Sequence, residues 1–146
     1  MREIQLLDTI VGMKLFIGVK AIIVHEGKFL LIREAKYDEG TCEGKWDAPG
    51  GRINPEESLF QGLEREVMEE SGLTIIPGKL LGVFETFHTI KGEDCHIVRI
   101  YYACTSATNV VTLSADHDQY EWVDIGASLE TKELVTDIKK VIGLLQ

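Results

Sequence analysis

Glu66, Glu69 and Glu70 stand at i, i+3 and i+4 of one stretch of the chain. On a helix that spacing crowds three carboxylates onto one face, at a cost of about a few tenths of a kcal/mol per like-charged pair. They lie toward the end of the stretch, where the helix dipole is negative and disfavours anions. Arg65, four residues before Glu69, offsets only part of this. Stability gives no reason for the cluster, whereas a hard divalent cation does. Mg²⁺ takes oxygen ligands in an octahedron and fills the remaining positions with water or substrate phosphate. Gly50-Gly51 stands just upstream, where glycine lets the backbone pass close to a ligand and present a carbonyl to it. The competing readings are a solvated acidic helix face for the glutamates and a turn that needs positive φ for the glycines.

The helix carrying these groups is expected from Asn54 to Ser71. Asn54 can cap it, Pro55 suits the first helical position and Glu57 can close a capping box. Gly72 follows as a left-handed stop. Leu59, Leu63 and Val67 form its buried stripe. Upstream, Phe16–His25 reads as a buried strand, Glu26-Gly27 as a turn and Lys28–Arg33 as the returning strand of a hairpin. Residues 35–45 read as a loop, and Trp46 to Gly51 as a breaker-rich turn. Downstream, Leu80–Thr89, Ile97–Ser106 and Tyr120–Ile125 read as strands, and Leu129–Leu145 as a closing amphipathic helix. Strands on both sides of a central helix imply a mixed sheet covered by helices.

The chain has 146 residues, which suits a single domain over 1–146. Its charge is −9, from 24 acidic against 15 basic residues. That excess argues against a nucleic-acid groove and against an anionic membrane surface. Cys42, Cys95 and Cys104 are odd in number and widely spaced, which points away from a disulfide framework and toward a reducing cytoplasm. The N-terminal stretch carries Lys14 within its apolar residues and reads as neither signal peptide nor membrane span.

Gly51, Glu57, Arg65, Glu66, Val67, Glu69, Glu70, Gly72 and Leu73 fit the spacing G-x5-E-x7-R-E-U-x-E-E-x-G-U, where U is apolar. Gly51 to Leu73 thus resembles the Nudix box at all nine specified positions, and the strand order around it resembles the Nudix fold across most of the chain. The resemblance implies an α/β/α sandwich with a mixed β-sheet. It implies Mg²⁺-dependent hydrolysis, with Mn²⁺ as a substitute, of a nucleoside diphosphate linked to another group, by attack of metal-activated water on phosphorus. Carried over, Glu66, Glu69 and Glu70 bind metal, Gly50 supplies a carbonyl, Arg65 orients a glutamate and Glu57 ties the box down.

The general base varies in such enzymes. Ser114 to Trp122 resembles the loop before the last strand of many members, and Asp116, then Asp118, are the acids favoured there. His117 beside them is read as solvated or as a phosphate contact. Arg33, Arg52 and Arg99 suit bidentate phosphate contacts. Arg52, next to the glycine turn, is the best placed, and Arg99 has an internal carboxylate as its alternative partner. Trp46, Tyr37, Phe84 and Phe87 are the aromatics that can stack a base or pack the core.

Two other readings stay open: a non-catalytic nucleotide-binding module, and a diphosphate isomerase on the same fold. Intact box glutamates disfavour the first. The absence of a recognisable cysteine context disfavours the second. Motifs of ADP-ribose, diadenosine polyphosphate, coenzyme A and NADH hydrolases are missing, which leaves a nucleoside triphosphate or nucleotide sugar as the substrate. A homodimer is among the assemblies left open. The box holds six acids and two bases. With a cation between glutamates and phosphates, that acidity is compatible with a polyanionic substrate.

Overall fold

In the computed structural model, residues 12–36 and 44–145 are described. Tyr37 and Cys42 fall outside them, as do most of the 35–45 loop and the first eleven residues. Strand β1 (Lys14–His25) turns into β2 (Lys28–Glu34) through Glu26-Gly27. Those two residues take φ of 50° and 76°, the sign pattern of a two-residue type I′ hairpin. The strands then separate. β1 pairs in parallel with β6 (Glu93–Ser106) along eleven positions, from Lys14–Cys95 to Val24–Thr105. On its other side it takes the short β4 (Gly50–Arg52). β2 pairs with β3 (Trp46–Asp47) and with β7 (His117–Asp124). β5 (Ile75–Ile90) runs antiparallel to β6 and forms the far edge.

Alternation along β1, β2 and β6 divides the apolar side chains between two cores. Val19, Ala21, Ile23, Leu30, Ile32 and Tyr102 pack with Leu63 and Val67 of helix α1 (Leu59–Ser71). Ile22, Phe29, Leu31 and Tyr101 pack with Ile138, Val141 and Ile142 of helix α2 (Ile138–Gly143). A mixed sheet between two helical layers is the expected sandwich.

β5, β6 and β7 begin at Ile75, Glu93 and His117, earlier than the expected Leu80, Ile97 and Tyr120, and further differences lie nearer the site. Helix α1 begins at Leu59, not Asn54. Ser58 is its cap, accepting from the Gln61 N–H while the Gln61 side chain accepts from the Ser58 N–H. Glu57 is drawn out of the helix: it accepts from the Asn54 N–H and is gripped by Arg65. The closing helix shrinks to Ile138–Gly143. The segment before it is held extended by Trp46, whose N–H donates to the Glu133 carbonyl and whose carbonyl accepts from Val135. Leu134, Val135 and Leu145 still face the second core, so their apolar spacing reports burial more than helix. The Trp46–Gly51 turn contains two short strands, because it bridges β2 and β1 where the hairpin has opened. Gly72 ends α1 in the left-handed conformation as expected, at φ 72°.

Candidate functional site

The site forms where the opened hairpin admits the Gly50-Gly51 turn against the α1 face. Gly50 has φ 140°, and a Cβ there would collide with the Val19 carbonyl oxygen. A Cβ on Gly51 would meet the Glu66 carboxylate at 2.6 Å. Two glycines are therefore required for the backbone to lie directly against the glutamates. The Gly50 N–H donates to Glu70 Oε1 at 2.7 Å. Burial pushes the Glu70 carboxyl up to about 7, Lys20 and the Gly50 hydrogen bond pull it back, and Glu66 and Asp47 add to the rise. Glu66 is also raised, by burial first, against the pull of Arg65.

Arg65 organises the rest of the box. Its Nε and one terminal nitrogen donate to Glu57 at 2.6 and 2.9 Å, and that same nitrogen reaches the Arg52 carbonyl at 3.1 Å. The other terminal nitrogen meets Glu66 at 3.0 Å and Glu69 at 3.3 Å. These bonds hold the Glu57 carboxyl down at about 2 and push the Arg65 guanidinium up. The three box glutamates are thereby separated. Glu66 and Glu70 are enclosed at the turn, with 18% of each side chain exposed. Glu69 is 57% exposed and drawn to Arg65. Among the described residues no three acidic, His or Cys side chains converge closely enough to hold an ion. The donor set nonetheless suits a hard cation: two enclosed carboxylates with an unmet demand for positive charge, a glycine cradle that a Cβ would fill, and Glu69 one turn away.

Lys20, which the sequence reading passed over, and His117, which it read as solvated or as a phosphate contact, complete the site. Lys20, a lone cation within apolar β1, donates to Asp47 at 2.8 Å, to the Ala48 carbonyl at 3.2 Å and to the Gly50 carbonyl at 3.5 Å. His117 is not solvated: its Nε2 lies 3.7 Å from Glu70 and its Nδ1 3.3 Å from the Ser114 hydroxyl. Burial and Lys20 push its pKa down, so the neutral imidazole prevails at pH 7. A charged residue inside an otherwise apolar buried strand was the available signal for Lys20. Nothing local tied His117 to Glu70.

The remaining candidates scatter. Arg33 donates to both oxygens of Asp118, each at 2.8 Å, so a proposed phosphate contact and the second-choice base neutralise each other. The Arg52 guanidinium lies over the Phe16 ring, 3.6 Å from its centroid. Trp46 packs at the second core beneath the Lys132 ammonium. Asp116 is exposed in the loop ahead of β7. Arg99 takes the internal partner: its Nε donates to Asp137 at 2.5 Å, with Thr86 on another nitrogen. Phe84 packs edge-on against Tyr101 in the core, and the exposed Phe87 stacks on His96.

The NUDIX domain family model matches residues 14–144. The chain belongs to the Nudix family. It is 29% identical over 109 residues to the nucleoside triphosphatase NudI of Klebsiella pneumoniae (strain 342), covering 70% of this chain and 77% of that protein. It is 39% identical over 70 residues to the human 8-oxo-dGDP phosphatase NUDT18, covering 48% of this chain and 21% of that one. The crystal structure of the MutT protein from Methanosarcina mazei Go1 matches with a TM-score of 0.78 at 34% identity, over 91% of this chain and 94% of that one. As a Nudix hydrolase the protein is a pyrophosphohydrolase, and the sandwich is that of its structural relatives. No helix among the described residues is long and apolar enough to cross a membrane.

Proposed function

We propose that this Nudix hydrolase cleaves a pyrophosphate bond in a nucleoside triphosphate, a nucleotide sugar or a similar nucleoside diphosphate derivative. Mg²⁺, or Mn²⁺ in its place, would be held by Glu66, Glu69, Glu70 and the Gly50 carbonyl. The observation that carries this reading is the pair of enclosed carboxylates, Glu66 and Glu70, pressed against a turn where Gly50 leaves no room for a Cβ and a Cβ on Gly51 would displace the Glu66 carboxylate. When bound, the ion would neutralise phosphate charge and acidify a water. Arg65 holds Glu66 and Glu69 in place while Glu57 holds Arg65, as when hydrogen-bond partners behind metal ligands fix the ligands' orientation. Asp116 is the acid assigned to take the proton of the attacking water. The nucleoside triphosphatase activity in the name of NudI supports a triphosphate among the substrates. Buried, unpaired Cys95 and Cys104 are in keeping with a reducing cytoplasm.

The test is a phosphate-release screen over nucleoside triphosphates and nucleotide sugars, with and without Mg²⁺. Release that requires the metal is the expected result. No release from any compound would favour a binding module on the same fold.

A further inference from the structure

The residues that sequence reasoning assigned to substrate phosphate are engaged elsewhere. Arg33 is held by Asp118, Arg52 lies on Phe16 and Arg99 is held by Asp137. Arg65 is saturated by Glu57, Glu66, Glu69 and the Arg52 carbonyl. The cation that faces the turn is Lys20. Its side chain is only 15% exposed and that of Asp47 20%, although lysine is seldom enclosed without a strong reason.

The ammonium has three protons to give. Asp47 accepts at 2.8 Å and the Ala48 and Gly50 carbonyls at 3.2 and 3.5 Å, so the ammonium is engaged on every side and any new contact must replace one of these. The contact with Gly50 is the longest, and Gly50 belongs to the turn that holds Glu70. A lysine ammonium is a compact point charge well suited to phosphate. Its field also reaches Glu66, Glu70 and His117.

We infer that Lys20, anchored by Asp47, is a phosphate-binding residue that exchanges its long contact with the Gly50 carbonyl for an oxygen of the substrate's diphosphate group. This rests on the hydrolase reading above. Asp47 acts as a positioning residue, fixing the ammonium at the turn instead of letting it extend to solvent. The arrangement recognises the diphosphate and is indifferent to the group attached to it.

The test is calorimetric binding of methylenediphosphonate, a diphosphate mimic that cannot be hydrolysed, in the presence of Mg²⁺. It is paired with kcat and KM on a hydrolysed nucleotide and with Mn²⁺ binding in the absence of phosphate. Lys20→Met is expected to weaken methylenediphosphonate about tenfold or more, the range for a charged hydrogen bond. It should raise KM more than it lowers kcat and leave Mn²⁺ binding no weaker. Lys20→Arg should retain most of the affinity. Should Lys20→Met fail to fold, Lys20→Met with Asp47→Asn removes the stranded carboxylate and serves for the same readout. Unchanged methylenediphosphonate affinity, or an equal loss of Mn²⁺ affinity, overturns the assignment of Lys20. A wild-type protein that neither hydrolyses nucleotides nor binds the mimic overturns the hydrolase reading itself.

Discussion

Among the described residues an ionic cluster beside α1 and one beneath α2 follow different rules. Beneath α2, Arg99 and Asp137 face each other with 11% and 6% of their side chains exposed. The Tyr101 hydroxyl donates to Asp137, and Thr86 accepts from Arg99. One positive and one negative charge are matched, and the hydrogen-bonding groups around them are used. Burial keeps the Tyr101 hydroxyl protonated, with its pKa pushed well up. Beside α1, Glu57, Glu66 and Glu69 share Arg65, while Glu70 accepts from the Gly50 N–H and feels Lys20 across the turn. Negative charge is left over there. A matched cluster ties α2 to β6, whereas an unmatched one stores a demand for a cation. Burial alone does not separate structure from function; the sum of the enclosed charges does.

The sharpest way to break this contrast is to remove one charge from each cluster. Glu70→Gln should lower metal-dependent turnover on the order of a thousandfold, since a metal contact is worth several kcal/mol in the transition state. Its melting temperature should stay close to wild type, because Gln is as good a helix former as Glu. Retained turnover at saturating Mg²⁺ would sink the metal assignment. Asp137→Ala should do the reverse. Stranding Arg99 costs about 3–5 kcal/mol of stability, read as a lower denaturation midpoint, while Mn²⁺ affinity measured below the transition stays put. Loss of metal affinity without loss of stability would erase the distinction between the clusters.

Smaller effects sharpen it. Gly51→Ala forces a methyl group against the Glu66 carboxylate and should cost about a hundredfold in turnover, the upper range for disturbing a ligand's surroundings, with little change in melting. Asp116→Asn should lower the rate by about a hundredfold, the lower end of the span for a general base. An unchanged pH–rate profile would remove it from that role.

The smallest effect is on acid stability. Glu57 has a folded pKa of about 2 against an ordinary value of 4.5. Its folded pKa is lowered, so its contribution is fully present above 4.5 and lost as pH falls from 4.5 toward 2. Thermal melts of Glu57→Gln should lack the slope that this group gives the wild type in that window.

Much of this was legible along the chain. The hairpin, the apolar stripe of α1 and its Gly72 stop follow from local periodicity and turn chemistry, which operate over a few residues. The box glutamates were legible because their spacing and the glycines upstream lie within one segment. The start of α1 was misread because Glu57, offered to a capping box, is captured by Arg65 eight residues on. The last helix was overestimated because residues spaced for a helical face can equally line an extended segment pressed to the same core.

The sequence by itself determined the residues of the box and, through them, the family, since those lie within one segment; the α/β/α layering was implied by that resemblance. Only the tertiary structure decided which groups meet. It paired Arg33 with Asp118 and Arg99 with Asp137, brought His117 to Glu70, and set Lys20 at the glycine turn. The physical reason is that an enclosed charge must find an opposite charge or a dipole, and the partner within reach is fixed by strand pairing between segments far apart in the chain.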